Sequence, residues 1–141
     1  MNERPSTQMP REGSAANPPD AARILVVEDF EPLRVLMVRV LTLEGYEVAG
    51  VGTASRALAL STSEHFDLLI ADHDVPGGDG TDIARQSVAH NPRIGVLFVS
   101  GNAEASLDLE VPGTSPGFLQ KPFDIDELAL RVRQVLTAPP V

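Results

Sequence analysis

Five short apolar runs punctuate this chain, and each closes on polar or turn-forming residues. They are Arg23 to Glu28 (RILVVE), Tyr46 to Val51 (YEVAGV), Asp67 to Ala71 (DLLIA), Ile94 to Val99 (IGVLFV) and Phe118 to Gln120 (FLQ). Runs of this length bounded by turn residues predict buried strands. Between them the apolar positions change to a helical spacing. Leu33, Leu36, Met37, Val40, Leu41 and Leu43 form one stripe, opened by Glu31-Pro32 and stopped by Gly45. Thr53 or Ser55 is placed to cap a second helix through Ala57, Leu58, Ala59 and Leu60. Gly80 or Thr81 opens a third through Ile83, Ala84 and Val88, which ends near Asn91-Pro92. Asn102 to Glu110 predicts a short helix, and Pro112, Gly113, Pro116 and Gly117 predict a loop after it. Asp124 caps a last helix with Ile125, Leu128, Val132, Val135 and Leu136 on its apolar face.

A strand followed by a helix, five times over, implies an α/β fold. The expected architecture is a five-stranded parallel sheet, doubly wound, with alternating (βα)5 order. Ligands of such sheets bind outside the carboxyl ends of the strands. The stretch Phe66 to Gly80 (FDLLIADHDVPGGDG) therefore organises the chain, because its apolar run ends on Asp72 and a turn-rich loop follows at once. The other strand ends deliver Glu28 and Asp29, Ser100 and Lys121 to the same edge.

Residues 1–22 hold Pro5, Pro10, Pro18 and Pro19 among polar residues without apolar periodicity, and are expected to be a disordered leader. Residues 23–137 are the expected domain and 138–141 a short tail. The formal net charge of −9 argues against nucleic acid as a partner and against docking on anionic membranes. No run reaches the ~18 apolar residues of a membrane span, and no signal peptide is visible, so a soluble cytoplasmic protein is expected. With no cysteine, disulfide and thiolate chemistry are excluded. Lys121 is the single lysine among eleven basic residues. A compact ammonium thus stands where arginine is otherwise used.

Three acids at one edge, Glu28, Asp29 and Asp72, would repel one another and raise each other's pKa unless a cation joined them. Oxygen ligands without His or Cys favour Mg²⁺. Lys121 adds a point charge suited to a phosphoryl oxygen, and Ser100 adds a hydroxyl. Asp72 is then placed to act as a nucleophile toward phosphorus.

The segments ILVVEDFEPLR, FDLLIADHDVPGGDG, GVLFVSG and GFLQKPF, in this order and spacing, resemble the receiver domains of two-component response regulators over about residues 23–137. The resemblance implies a flavodoxin-like fold and a stand-alone receiver, with Asp72 as phosphoacceptor. It implies Mg²⁺ held by Glu28, Asp29, Asp72 and the main-chain carbonyl of Asp74. Ser100 falls on the hydroxyl that meets the phosphoryl group, Lys121 on the lysine before proline, and Phe118 on the aromatic switch position. The implied partners are a sensor histidine kinase or a histidine phosphotransfer protein upstream and a protein target downstream, with the receiver a monomer or weak dimer. The implied protein is a signalling domain that takes part in its own phosphorylation and dephosphorylation, not an enzyme acting on other substrates. The stretch between Ser100 and Lys121 departs from the regular fourth helix of that family through its prolines and glycines. Asp74 adds a carboxylate beside the site.

Blander readings stand beside these. Loop acids usually cap or solvate, Ser-Gly after a strand is common turn chemistry, and Phe118 fits a plain core position. His73 is expected to face solvent, as are His65 and His90 at helix ends. Val75 to Gly78 is expected only to shape the loop. A rival function comes from Asp72-His73-Asp74-Val75, which fits the nucleophile motif of haloacid-dehalogenase-type phosphohydrolases. There, however, the remaining acids follow the lysine, whereas here the acidic pair precedes the nucleophile. A receiver fold used only for binding, without phosphorylation, is the second rival.

Overall fold

A computed structural model describes residues 22–102 and 110–137. The expected leader up to residue 21, the tail from 138 and most of the expected helix between Asn102 and Glu110 lie outside the described residues. Five strands form one parallel sheet: β1 (Arg23–Val27), β2 (Glu47–Val51), β3 (Leu68–Asp72), β6 (Gly95–Ser100) and β7 (Gly117–Gln120). A separate antiparallel pair, β4 (Asp74–Val75) and β5 (Gly78–Asp79), sits in the loop after β3. The helices are α1 (Glu31–Leu43), α2 (Ala54–Ser63), α3 (Gly80–His90) and α4 (Ile125–Thr137).

The strand order is β2-β1-β3-β6-β7. The chain moves outward from β1 to β2, then crosses back to place β3 on the other side of β1. That reversal opens a crevice above the carboxyl ends of β1 and β3. Alternation along the strands assigns the two faces. Leu25, Val27, Leu69, Ala71, Val96 and Phe98 meet Ala54, Ala57, Ile83 and Ala84 of α2 and α3. Ile24, Val26, Leu68, Ile70, Leu97 and Val99 meet Met37, Leu41, Leu128 and Val132 of α1 and α4. Burial on both faces explains why the strands read as continuous apolar runs.

Several ends differ by a residue from expectation. Gly80 opens α3 as expected, and Asp79 before it is the cap: its Oδ1 accepts the Asp82 N–H at 2.9 Å. Thr53 caps α2 through the Arg56 N–H. Asp124 and Glu127 exchange side chain-to-backbone bonds of 2.8 and 3.0 Å, a reciprocal capping box at the start of α4. Ala22, the last residue of the expected leader, is buried, and its carbonyl accepts the Glu47 N–H. Leu36, Leu43 and Ile125, counted in the apolar stripes, are exposed. No helix among the described residues is long and apolar enough to cross a membrane.

Candidate functional site

The acids stand at the carboxyl ends of β1 and β3. β1 ends at Val27, and the next two residues are Glu28 and Asp29. β3 ends on Asp72, one strand over and in register through Val27↔Ala71. Parallel pairing thus brings residues 43 or more positions apart to one edge. Glu28, Asp29 and Asp72 each offer a carboxylate oxygen, all within 4.8 Å of one another. Glu28 is only 1% exposed.

Lys121 follows β7 and reaches across β6 into this group. Its Nζ lies 2.8 Å from Glu28 Oε1 and 3.0 Å from Asp72 Oδ2. Its own N–H donates to the Ser100 carbonyl at 2.8 Å, so the end of β6 fixes the lysine's base. The Lys121-Pro122 peptide is cis. Asp72 Oδ1 accepts the Asp74 N–H at 3.3 Å. Glu28 Oε2 accepts the Phe30 N–H at 3.1 Å.

Burial pushes the Glu28 carboxyl above its usual range, with the neighbouring charge of Asp72 adding to the rise; Lys121 and the Phe30 N–H only partly offset it. Burial works against the Lys121 ammonium, but its bonds to Glu28 and Asp72 outweigh that, and its pKa is raised. Lys121 contacts two of the three carboxylates, so negative charge is left over at a partly dry edge. The donor set is all oxygen and partly anionic. It suits a hard divalent cation such as Mg²⁺, which Glu28, Asp29 and Asp72 can hold.

The remaining expected residues lie on β6, on β7 and in the loop after β3. Ser100 closes β6, is 4% exposed, and its Oγ accepts the Asn102 N–H at 3.0 Å. The Asp74 side chain is 90% exposed, with His73 Nδ1 3.6 Å from its Oδ1. His73 is half-buried rather than fully solvent-facing, because its backbone is drawn between β6 and α3. Its N–H donates to Val99 O and its carbonyl accepts the Gly80 N–H. Phe118 pairs in register with Phe98 and packs, half-buried, against the core on the α2 and α3 side. Val75 to Gly78 forms the β4–β5 hairpin, and Pro76 O accepts the Ala54 N–H, which ties the loop to the start of α2.

Sequence reasoning passed over two residues here. Arg34 Nη1 donates to the Glu28 carbonyl at 2.8 Å. Gly80 touches the main chain of Asp72 so closely that a Cβ would collide with the Asp72 carbonyl oxygen. The available signals were the Gly50-Val51-Gly52 ending of β2 and the Gly-Asp-Gly that leads into α3.

Known proteins resemble this chain in sequence and fold. The response regulator receiver domain family matches residues 24–133. The chain is 32% identical over 117 residues to sporulation initiation phosphotransferase F of Bacillus subtilis, covering 81% of this chain and 93% of that protein. It is 30% identical over 118 residues to the response regulator receiver protein CpdR of Brucella abortus, covering 82% and 98%. The sensor kinase CckA of the same organism is 33% identical over 119 residues, and the chain spans only 13% of its length. Among solved structures, the receiver domain of the hybrid histidine kinase CckA superposes with a TM-score of 0.70 at 35% identity, covering 82% of this chain and 99% of that one. The response regulator TrrA of Thermotoga maritima, solved in complex with Mg(2+)-BeF, gives 0.73 at 28% identity, covering 81% and 98%. With a family match over most of the chain and two relatives at 30% identity or more covered almost end to end, the chain belongs to the response regulator receiver domain family.

Proposed function

We propose that the protein accepts a phosphoryl group on Asp72 from a histidine kinase or a histidine phosphotransfer protein. The observation that carries this reading is the Lys121 ammonium held between Glu28 and Asp72 beside an otherwise uncompensated acidic cluster. An Asp72 oxygen forms the new bond to phosphorus as the bond from phosphorus to the donor imidazole nitrogen breaks, and the imidazole leaves neutral after taking up a proton. Mg²⁺, held by Glu28, Asp29, Asp72 and the Asp74 carbonyl, would supply positive charge opposite the phosphoryl oxygens.

The chain's own groups do the rest. Lys121 is close enough to Asp72 to follow the charge onto a phosphoryl oxygen. Ser100 offers a hydroxyl at the neighbouring strand end. The Asp74 N–H fixes Asp72 Oδ1. A phosphoryl group that draws Ser100 toward it would free space beside Phe118, whose ring lacks a polar atom and turns inward without burying an unpaired one. Output then proceeds by altered docking on a protein target or by onward transfer of the phosphoryl group. The name of the Bacillus relative, a phosphotransferase, supports the second route. The same site would return the domain to its resting state by hydrolysis of the aspartyl phosphate.

The test is intact-mass spectrometry after incubation with a small phosphoryl donor, with and without Mg²⁺, beside Asp72→Asn. A gain of one phosphoryl group that needs Mg²⁺ and Asp72 is expected. No gain, together with no binding of beryllofluoride, would leave a binding module that works without phosphorylation.

A further inference from the structure

We infer that Arg34 is a positioning residue for the acidic pair, and that Gly50 and Gly52 exist to let it reach. The inference rests on the phosphoryl-acceptor reading of the site and extends it to residues outside the carboxylate cluster.

β1 and β2 pair as far as Val27↔Val51. The Glu28 N–H still donates to Val51 O at 3.0 Å, but the Glu28 carbonyl lies one step beyond the ladder. Arg34 takes it: Nη1 donates at 2.8 Å. The peptide so held is the one joining Glu28 to Asp29, the two acids of the cluster. Arg34 also carries its own N–H to Phe30 O, the first helical bond of α1. The turn from Glu28 to Phe30 is therefore tied at the carbonyl by Arg34 and inside by the Glu28 side chain on the Phe30 N–H.

The route of the arginine explains two glycines. Val48, Gly50 and Gly52 share the face of β2 turned toward α1. Val48 packs in the core there. Nearer the site the strand carries no side chain, and the Arg34 stem lies in the space. A Cβ on Gly50 would sit 3.2 Å from Arg34 Cγ and 2.9 Å from Val38 Cγ2; one on Gly52 would sit 2.8 Å from Nη1. Neither glycine has the positive φ that marks Gly45, Gly77 and Gly113. Room, and not backbone conformation, is what these two positions need. The guanidinium offers several donors in a fixed plane, so it holds a carbonyl with little loss of order. Outer groups that orient metal ligands in this way commonly matter for affinity.

The experiment uses Arg34→Met, which keeps an unbranched stem over the glycines, Arg34→Lys, and Gly52→Ala, which keeps the arginine but drives its Nη1 off the carbonyl. Mg²⁺ affinity is measured by calorimetry, and hydrogen exchange of the Asp29 and Phe30 amides is measured in metal-free protein. Arg34→Met and Gly52→Ala are expected to weaken Mg²⁺ binding about tenfold and to speed exchange at Phe30, whose N–H is bonded inside the turn, with Arg34→Lys restoring part of both. Unchanged exchange and Mg²⁺ affinity within about twofold of wild type, with only thermal stability lowered, would reduce Arg34 to packing and overturn the proposal. Wild-type protein that fails to bind Mg²⁺ would overturn the metal reading instead, while the exchange data still decide whether Arg34 holds the turn.

Discussion

Glu28 carries the conflict between burial and charge in this site. It is almost wholly buried, yet the proposed chemistry needs it ionised. Burial raises its pKa in the folded protein above the ordinary 4.5, so the folded state holds this proton more tightly than the unfolded chain does. Ionised Glu28 therefore costs stability at neutral pH. The cost is relieved as pH falls through the raised folded value toward 4.5. Lys121 acts elsewhere on the scale: its raised pKa adds stability that is complete below 10.5 and is lost only as pH rises through the folded value. Of these two groups, Glu28 is the one that gives a slope in mild acid. Glu28→Gln is expected to raise the melting temperature of metal-free protein at pH 7 by a few degrees, on the order of 1 kcal/mol. It should also flatten the dependence on pH between neutrality and about 4.5. Lys121 also lies 3.0 Å from Asp72, so the substitution leaves it a partner. Melting curves across pH check both statements; a lower melting point at pH 7 would mean that the Glu28–Lys121 pair stabilises more than burial costs.

At the scale of elements, the start of α3 is pressed against the end of β3. Gly80 donates its N–H to His73 O, and the missing Cβ leaves room for the Asp72 main chain. That neighbour is backbone and cannot step aside. Gly80→Ala is expected to cost about 1–3 kcal/mol by overpacking and to slow phosphorylation by displacing Asp72. Gly101→Ala, where a Cβ would meet nothing within 4 Å, is the matched control and should stay within about 0.5 kcal/mol of wild type. Denaturant melts of the two variants test the difference. The elements themselves were largely legible. Strands buried on both faces declare themselves as apolar runs, and a parallel sheet puts all their carboxyl ends on one edge, so the sequence alone gathers Glu28, Asp29, Asp72, Ser100 and Lys121. The β4–β5 hairpin was not legible, because two-residue strands carry no period. Asp79 was passed over as a cap because Gly80 beside it is an equally ordinary helix opener. The exposure of Leu36 and Leu43 was not legible either: α1 lies on the sheet with one narrow stripe, and sequence spacing alone does not show how wide that stripe is. Arg34 left no trace of its own, since an arginine bound to a carbonyl has no sequence pattern.

At the scale of the molecule, the sheet is a dry chassis that holds repelling charges near one another, and a bound cation should be felt in its overall stability. A ligand that binds only the folded state at 100 times its dissociation constant adds about 2.7 kcal/mol, roughly 10 °C for a domain of this size. Mg²⁺ is therefore expected to raise the melting temperature of the wild-type protein by that order. The chain's net charge of −9 offers a competing cause, because any salt screens self-repulsion. Sodium chloride at matched ionic strength separates the two: screening acts in both salts, site binding in one. Asp72→Asn and Glu28→Gln should lose most of the Mg²⁺-specific gain while keeping the screening part. Glu28→Gln then moves two ways at once, with a higher melting point without metal and a smaller gain with it. Mere loosening of the fold lowers both, and mere removal of surface charge leaves the metal-specific gain intact. Only a buried carboxylate kept at a cost to the fold for the sake of a cation produces the crossing.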